Sequence, residues 1–116
     1  YDPQGRLTDW WTPADVAAFE KYAAQLAEQY SKYEPLPGAF INGRLSLGEN
    51  IADLAGLLVA HDAYRMSLGG KEAPVLDGFT GDQRFFLGHA QIWRMKYREN
   101  ALRQQLVTGP HSPGHF

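Results

Sequence analysis

The stretch Ser46-Leu47-Gly48-Glu49-Asn50-Ile51-Ala52-Asp53 places two carboxylates one helical turn apart, in a segment that otherwise has the pattern of a buried helix. Glu49 and Asp53, at i and i+4, share a helix face and repel each other in an isolated helix. A metal ion with a histidine ligand would make the pair favourable, because one carboxylate can bind the metal while the other accepts a hydrogen bond from the imidazole. The stretch therefore predicts a helix that carries a candidate metal ligand.

The same residues also fit a purely structural interpretation. Ser46-x-x-Glu49 is the pattern of a capping box, in which Ser46 is the N-cap and the Glu49 side chain accepts a hydrogen bond from the Ser46 backbone N–H. Asp53 would then be an ordinary carboxylate in the early turns, favoured slightly by the helix dipole. The spacing alone leaves both interpretations open.

Three long helices are predicted, joined by turns and short extended pieces, so that the fold class is mainly α. The first runs from a Thr12 cap to about Tyr33, the second over about 47–68 and the third over about 81–107. Gly69-Gly70 is expected to end the second helix, and Thr80-x-x-Gln83 to cap the third. The first helix is expected to bury a stripe of Val16, Phe19, Ala23, Leu26 and Tyr30. The third is expected to bury Phe85, Phe86, Ile92, Trp93 and Tyr97.

The composition limits the classes of function. With 116 residues, 44% of them hydrophobic, the chain can form one domain with a modest core. The net charge of −2 argues against a nucleic-acid binder, and the Lys and Arg residues between 94 and 103 are interpreted as a solvated helix end. Cysteine is absent, which excludes disulfides, thiolate zinc sites and thiol catalysis. No stretch approaches the roughly 18 apolar residues of a membrane span, and no membrane contact is expected.

The four histidines differ in their prospects for chemistry. His61 lies about 120° around the second helix from the carboxylate face, so it is not expected to join that site. His89 is interpreted as a partly buried histidine at the edge of the core. His111 and His115 cannot share a helix, because Pro113 and a glycine lie between them. His111 is the better candidate as a single proton donor in a loop, since loops carry chemistry at the surface of clefts.

Four blocks of sequence together resemble one family. They are Asp9-Trp10-Trp11-Thr12, then Asn42-Gly43 leading into 47–53, then Gln91-Ile92-Trp93, and finally His111-Ser112-Pro113-Gly114. Their order and spacing are similar to those of the neprilysin-like zinc endopeptidases, the M13 metallopeptidases. The block Gly-Glu-Asn-Ile-Ala-Asp is specific for that family, whereas the others would be weak alone. The resemblance covers nearly the whole chain and implies a fragment of a thermolysin-like (gluzincin) catalytic domain.

The resemblance implies a role for each matching residue. Glu49 matches the third zinc ligand, and Asp53 matches the carboxylate that orients one of the zinc-binding histidines. His111 matches the histidine that hydrogen-bonds the oxyanion of the tetrahedral intermediate. Ile92 and Trp93 match residues that border the apolar pocket for the side chain after the scissile bond. The implied activity is hydrolysis of peptide bonds in oligopeptides, with one Zn²⁺ per parent protein activating water.

The departures from the family pattern are equally informative. The His-Glu-x-x-His helix, which supplies two zinc ligands and the general base, is absent and would end shortly before Tyr1. The arginine that follows the last block in the family would lie beyond Phe116. Residues 1–116 are therefore expected to be a single fragment that is inactive alone and binds zinc weakly or not at all. Its exposed apolar faces predict a homodimer or a domain swap.

Two further expectations follow. The alternative function is a non-catalytic helical interaction module that retains the peptidase scaffold. By the habit of the family, the parent protein is expected outside the cytoplasm, periplasmic or secreted. The lack of cysteine favours a bacterial member over a disulfide-rich animal ectodomain.

Overall fold

Four α-helices joined by turns and loops make up the chain, in a computed structural model that describes all residues 1–116. They are α1 (Pro13–Tyr30), α2 (Leu47–Ser67), α3 (Gly81–Ile92) and α4 (Glu99–Thr108). There is no β-strand beyond two isolated bridges within tight turns. The mainly α architecture expected from the sequence is confirmed. None of the four helices combines the length and the apolarity that a membrane crossing requires.

The helix ends follow the local signals in the sequence. At the start of α1 the Thr12 hydroxyl accepts a hydrogen bond from the Asp15 backbone N–H, and the Asp15 carboxylate accepts one from the Thr12 backbone N–H. Thr80 and Gln83 form the same capping box at the start of α3. After α2 the chain turns through Gly69, whose φ of 58° is one that glycine adopts readily. These three boundaries were predicted correctly.

The third predicted helix is wrong in its extent. Instead of one helix over about 81–107, the chain forms α3 and α4, separated by the non-helical residues 93–98. The Trp93 carbonyl accepts a hydrogen bond from the Met95 N–H rather than continuing the helical pattern. Arg94 and Arg98 carry like charges at i and i+4, which also disfavours a helix at this point. The break redirects the chain so that Trp93 meets the C-terminal segment.

Burial is more limited than the helix patterns predict, since 9 of 116 residues are buried. In the expected stripe of α1 only Ala23 is buried, while Val16 and Phe19 are 43% and 41% exposed. Ile92 was expected in the core of the third helix but is 74% exposed. It is the last residue of α3, and no other element of the chain covers it. The amphipathic faces are present, but within these residues few partners pack against them.

The buried residues cluster where α1 ends, α2 begins and the C-terminal segment returns. The turn at Gly43 lies directly on the end of α1, because a Cβ at this position would overlap the Ala27 carbonyl. The Gly43 N–H donates to the Ser31 hydroxyl at 3.3 Å. Ile41, next to this turn, is 4% exposed. This close approach sets the position of the first turn of α2, which carries the candidate site.

Candidate metal and catalytic site

The first turn of α2 is not closed by a capping box. Ser46 is the N-cap but makes no capping hydrogen bond with its side chain. Its hydroxyl donates to the Asn42 carbonyl at 3.3 Å and accepts a hydrogen bond from Asn50 Nδ2 at 3.1 Å. The structural interpretation of Ser46-x-x-Glu49 is therefore wrong. The Glu49 carboxylate is not used by the helix end and is available to other groups.

His111 lies between the two carboxylates of α2. Its Nε2 is 3.6 Å from Glu49 Oε2, and its Nδ1 is 3.6 Å from Asp53 Oδ2. All three side chains are half-buried, at 42% exposure for His111 and 43% for each carboxylate. The fold thus brings together three residues that the sequence analysis singled out, from two distant parts of the chain. A positive or proton-donating ring between Glu49 and Asp53 offsets the repulsion within the helix.

The ring of His111 is held without a hydrogen bond of its own. Its Nδ1 is buried and has no hydrogen-bond partner, since Asp53 Oδ2 lies just beyond bonding distance. An unpaired polar atom in such a position is costly and marks a group that is available for a further interaction. The local field is negative. Burial raises the pKa of the Tyr30 phenol above its ordinary value of 10.0, and the neighbouring Tyr33 and the Asp53 carboxylate raise it further.

The loop that carries His111 is anchored by its backbone and its neighbours. Gln105 of α4 donates from Nε2 to the His111 carbonyl at 2.9 Å. Ser112 donates from its hydroxyl to Asn50 Oδ1 at 3.0 Å. Pro113 is among the most completely buried side chains of the chain. His111 therefore projects from a fixed loop, in agreement with the expectation that it does not share a helix with His115.

Trp93 lies near His111, and Ile92 precedes it as the last residue of α3. The Trp93 and His111 rings are 6.0 Å apart between centroids. Behind them the backbone of Gly114 lies against the Trp93 carbonyl, so closely that a Cβ on Gly114 would overlap the oxygen. Ile92 points its side chain into solvent. Of the two residues expected to border a substrate pocket, Trp93 therefore packs near His111, and Ile92 is exposed.

His61 lies apart from this arrangement, whereas His89 lies near it. His61 Nε2 is 3.1 Å from Asp82 Oδ1, and the His61 ring stacks on Phe86. His61 was expected to stay out of the carboxylate site, and it does. His89 is half-buried and lines a cavity of about 280 Å³ together with Asp53. No group of three or more His, Asp or Glu side chains in the 116 residues is arranged to hold a metal ion.

The sequence profile of Peptidase family M13 matches residues 1–116. The chain belongs to peptidase family M13. This M13 chain is 42% identical to human endothelin-converting enzyme 1 over 120 residues, which are 100% of this chain and 15% of the human protein. It is 37% identical to neprilysin-11 of Caenorhabditis elegans over 121 residues, with 100% of this chain and 14% of that protein covered.

A solved structure agrees with the fold. The zinc metalloprotease Zmp1 of Mycobacterium tuberculosis, in complex with an inhibitor, superimposes with a TM-score of 0.93 at 47% identity. The match covers 100% of this M13 chain and 19% of the Zmp1 chain. The same protein in its open state gives a TM-score of 0.89. The helices of this chain therefore follow an M13 arrangement, and the chain spans less than a fifth of the relatives that it matches.

Sequence reasoning missed the polar residues that anchor the loop of His111. Asn50, Ser112 and Gln105 were not singled out, although Asn50 lies between the two carboxylates in the block specific for the family. The signal that could have found Asn50 is an amide side chain on a helix in a block that otherwise reads as buried, because a buried amide needs hydrogen-bond partners. Nothing local to Ser112 or Gln105 indicates their partners.

Proposed function

We propose that this chain is part of a zinc-dependent metalloendopeptidase that hydrolyses peptide bonds in oligopeptides. The observation that carries the proposal is the placement of His111 between Glu49 and Asp53, each contact at 3.6 Å, in a chain of the M13 family. The human relative is named for converting endothelin and the mycobacterial one is described as a zinc metalloprotease, which supports this reaction class. The longer protein that contains the chain is called the parent protein below.

The residues of the site fit one part of a zinc centre. Zinc binds imidazole nitrogen and carboxylate oxygen. Glu49 has a half-buried carboxylate that is not hydrogen-bonded in a helix cap. The unpaired Nδ1 of His111 supports a further polar interaction on this side of α2. The chain itself contains no His-Glu-x-x-His sequence. In the proposal the two histidine ligands and the general base come from a segment outside residues 1–116.

Each residue of this chain then has a distinct task. Glu49 holds the zinc ion, and Asp53 accepts a hydrogen bond from an imidazole that binds it. His111 donates a hydrogen bond to the oxyanion that develops when the peptide carbonyl is attacked. Ile92 and Trp93 border the pocket for the side chain after the scissile bond. When bound, zinc polarises the carbonyl and lowers the pKa of water, so that a nucleophile is available near neutral pH.

By itself the chain is proposed to be inactive. It offers one zinc ligand, whereas a catalytic zinc site uses three protein ligands and keeps a fourth position open. Binding of zinc to residues 1–116 alone is expected to be weak or absent. The parent protein is expected outside the cytoplasm, in the periplasm or secreted.

The test is Glu49→Gln in the parent protein. The amide keeps the shape of the side chain but is a much poorer zinc ligand, so zinc content and peptide hydrolysis should both be lost while the fold is retained. Zinc is measured in the purified protein, and the fold is followed by circular dichroism. Glu72→Gln, at an exposed position with no ion pair, is the matched control and should retain zinc and activity. A Glu49→Gln protein that binds zinc and cleaves peptides normally would show the ligand assignment to be wrong.

A second candidate function is supported by the exposed apolar surface. Phe19, Leu54 and Leu58 border an open groove between α1 and α2 and are 41%, 51% and 59% exposed. Such a surface suits a helical interaction module that keeps the peptidase scaffold without its chemistry. Zinc analysis of the parent protein separates the two functions, because a module without the remaining ligands would contain no zinc.

A further inference from the structure

A series of buried and partly buried hydrogen bonds joins the start of α2 to the loop of His111. The Ser112 hydroxyl donates to Asn50 Oδ1 at 3.0 Å, Asn50 Nδ2 donates to the Ser46 hydroxyl at 3.1 Å, and the Ser46 hydroxyl donates to the Asn42 carbonyl at 3.3 Å. Asn50 is 6% exposed and Ser46 is 2% exposed. Each donor in this series of hydrogen bonds has one acceptor. The orientation of the Asn50 amide is therefore determined by Ser112 and Ser46.

Asn50 stands next to Glu49 in sequence, and Ser112 stands next to His111. Their hydrogen bond is the one that joins the segment 109–116 to α2. The other side-chain hydrogen bond of the loop runs from Gln105 to the His111 carbonyl. Because Gln105 belongs to α4, this bond does not connect the loop to the helix that carries the two carboxylates. The Asn50–Ser112 contact is therefore the hydrogen bond that links the position of the His111 loop to the helix that carries Glu49.

The ring of His111 cannot hold its own position. Its Nδ1 has no hydrogen-bond partner, and its Nε2 is 3.6 Å from the nearest carboxylate oxygen. The orientation of the ring therefore depends on the position of the backbone at 111–112 and on packing against Trp93. A displacement of about 1 Å in a catalytic group can lower a rate on the order of 10²-fold.

We propose that Asn50 is a positioning residue that sets His111 at the working distance from Glu49 through its hydrogen bond with Ser112. The inference rests on the proposed function, because it assigns Asn50 a task in the same peptidase site. Asn50 touches neither the metal nor the substrate in this assignment. A buried amide with a purely structural task would stabilise the fold without acting through His111. The two roles therefore differ in their effects on kcat with and without the His111 side chain.

The experiment uses the parent protein and three substitutions. Asn50→Ala and Ser112→Ala each remove the hydrogen bond from one side, and Ser112→Thr retains the hydroxyl as a conservative rescue. Asn100→Ala, at an exposed position of α4, is the matched control. The readouts are kcat and KM on a peptide substrate, zinc content, and amide hydrogen exchange of residues 111–114, which does not depend on activity.

Asn50→Ala and Ser112→Ala should lower kcat by about 10- to 100-fold with KM and zinc content little changed. Exchange at 111–114 should become faster in both, while Ser112→Thr and Asn100→Ala should resemble the unsubstituted protein. In a His111→Ala background Asn50→Ala should have no further effect on kcat, because its influence passes through that ring.

Four results would overturn the inference. They are full kcat in Asn50→Ala, unchanged exchange at 111–114, an effect that persists without His111, and loss of zinc in Asn50→Ala. In the last case the residue would act on the metal site and not on His111. A parent protein that is inactive before any substitution would refute the proposed function itself, and with it this assignment. The Ser112→Ala variant keeps the test decisive if Asn50→Ala fails to fold.

Discussion

The contacts of the His111 side chain are not explained by packing of the fold alone. It lies between two carboxylates at 3.6 Å each, its Nδ1 is buried without a partner, and its ring meets Trp93. A histidine kept only for packing would be expected to satisfy its buried nitrogen. The arrangement therefore favours a catalytic interpretation of this residue.

His111→Ala in the parent protein should lower turnover by a factor on the order of 10²–10³, the range for the loss of one oxyanion donor. The loss should appear in kcat more than in KM, because the interaction is made in the transition state. Steady-state kinetics on a peptide substrate measure both constants. His115→Ala, an exposed histidine of the same loop, is the control and should leave turnover unchanged. Unchanged turnover in His111→Ala would contradict the assigned role.

The sequence singled out Glu49, Asp53 and His111 but did not indicate how they meet. The three were proposed from a carboxylate pair at helix spacing and from blocks that match the family, and the structure brings them together. Asn50 and Ser112 are 62 positions apart, and their hydrogen bond depends on the return of the C-terminal segment to α2. No local pattern encodes such a contact, so it could be seen only in the folded chain.

At the scale of the elements, the break between α3 and α4 is the feature that was not predicted from the sequence. Residues 93–98 contain neither proline nor glycine, and their propensities permit a helix. A tertiary contact accompanies the break, because the backbone of Gly114 packs against the Trp93 carbonyl and leaves no room for a side chain on Gly114. In contrast, the caps at Thr12 and Thr80 were predictable because their partners lie three residues away.

Gly114→Ala should destabilise the chain by about 1–3 kcal/mol, because the new Cβ must displace backbone atoms of Trp93 and not a flexible side chain. Gly88→Ala in α3 is the matched control, since a Cβ there meets nothing within 4 Å. It should stabilise α3 by about 0.5–1 kcal/mol. Urea unfolding at one protein concentration measures both changes. Equal stability of Gly114→Ala and the unsubstituted chain would show that the 111–114 loop is not packed on Trp93 as described.

At the scale of the whole molecule, the chain is far more open than a domain of its size. Its radius of gyration is 18.2 Å, whereas about 13 Å is typical of 116 residues. Its accessible surface is 8864 Å², whereas about 6,300 Å² is typical of a monomer of 13.0 kDa. The excess of about 2,500 Å² exceeds the roughly 1,600 Å² buried in total by a standard protein–protein interface. The sequence analysis expected exposed apolar faces, and they are present.

Part of this surface belongs to α2, which has a face of small residues. Ala52, Ala55, Gly56 and Ala60 are all exposed. An open groove of about 490 Å³ runs beside them, between α1 and α2, and is lined mainly by apolar side chains. The hydrophobic effect favours covering such a groove, and in a solution of the isolated chain the available partner is a second copy. The homodimer or domain swap remains a prediction.

Leu58→Glu should shift the isolated chain from dimer to monomer, because a carboxylate would be placed on the apolar wall of the groove, where burial without a partner is costly. Val59→Glu is the matched control, since Val59 is 69% exposed and does not line the groove. Gel filtration and sedimentation at several concentrations measure the masses. The unsubstituted chain and Val59→Glu should dimerise with rising concentration, while Leu58→Glu should not. A strict monomer of the unsubstituted chain at high concentration would show that the groove does not bind a second copy.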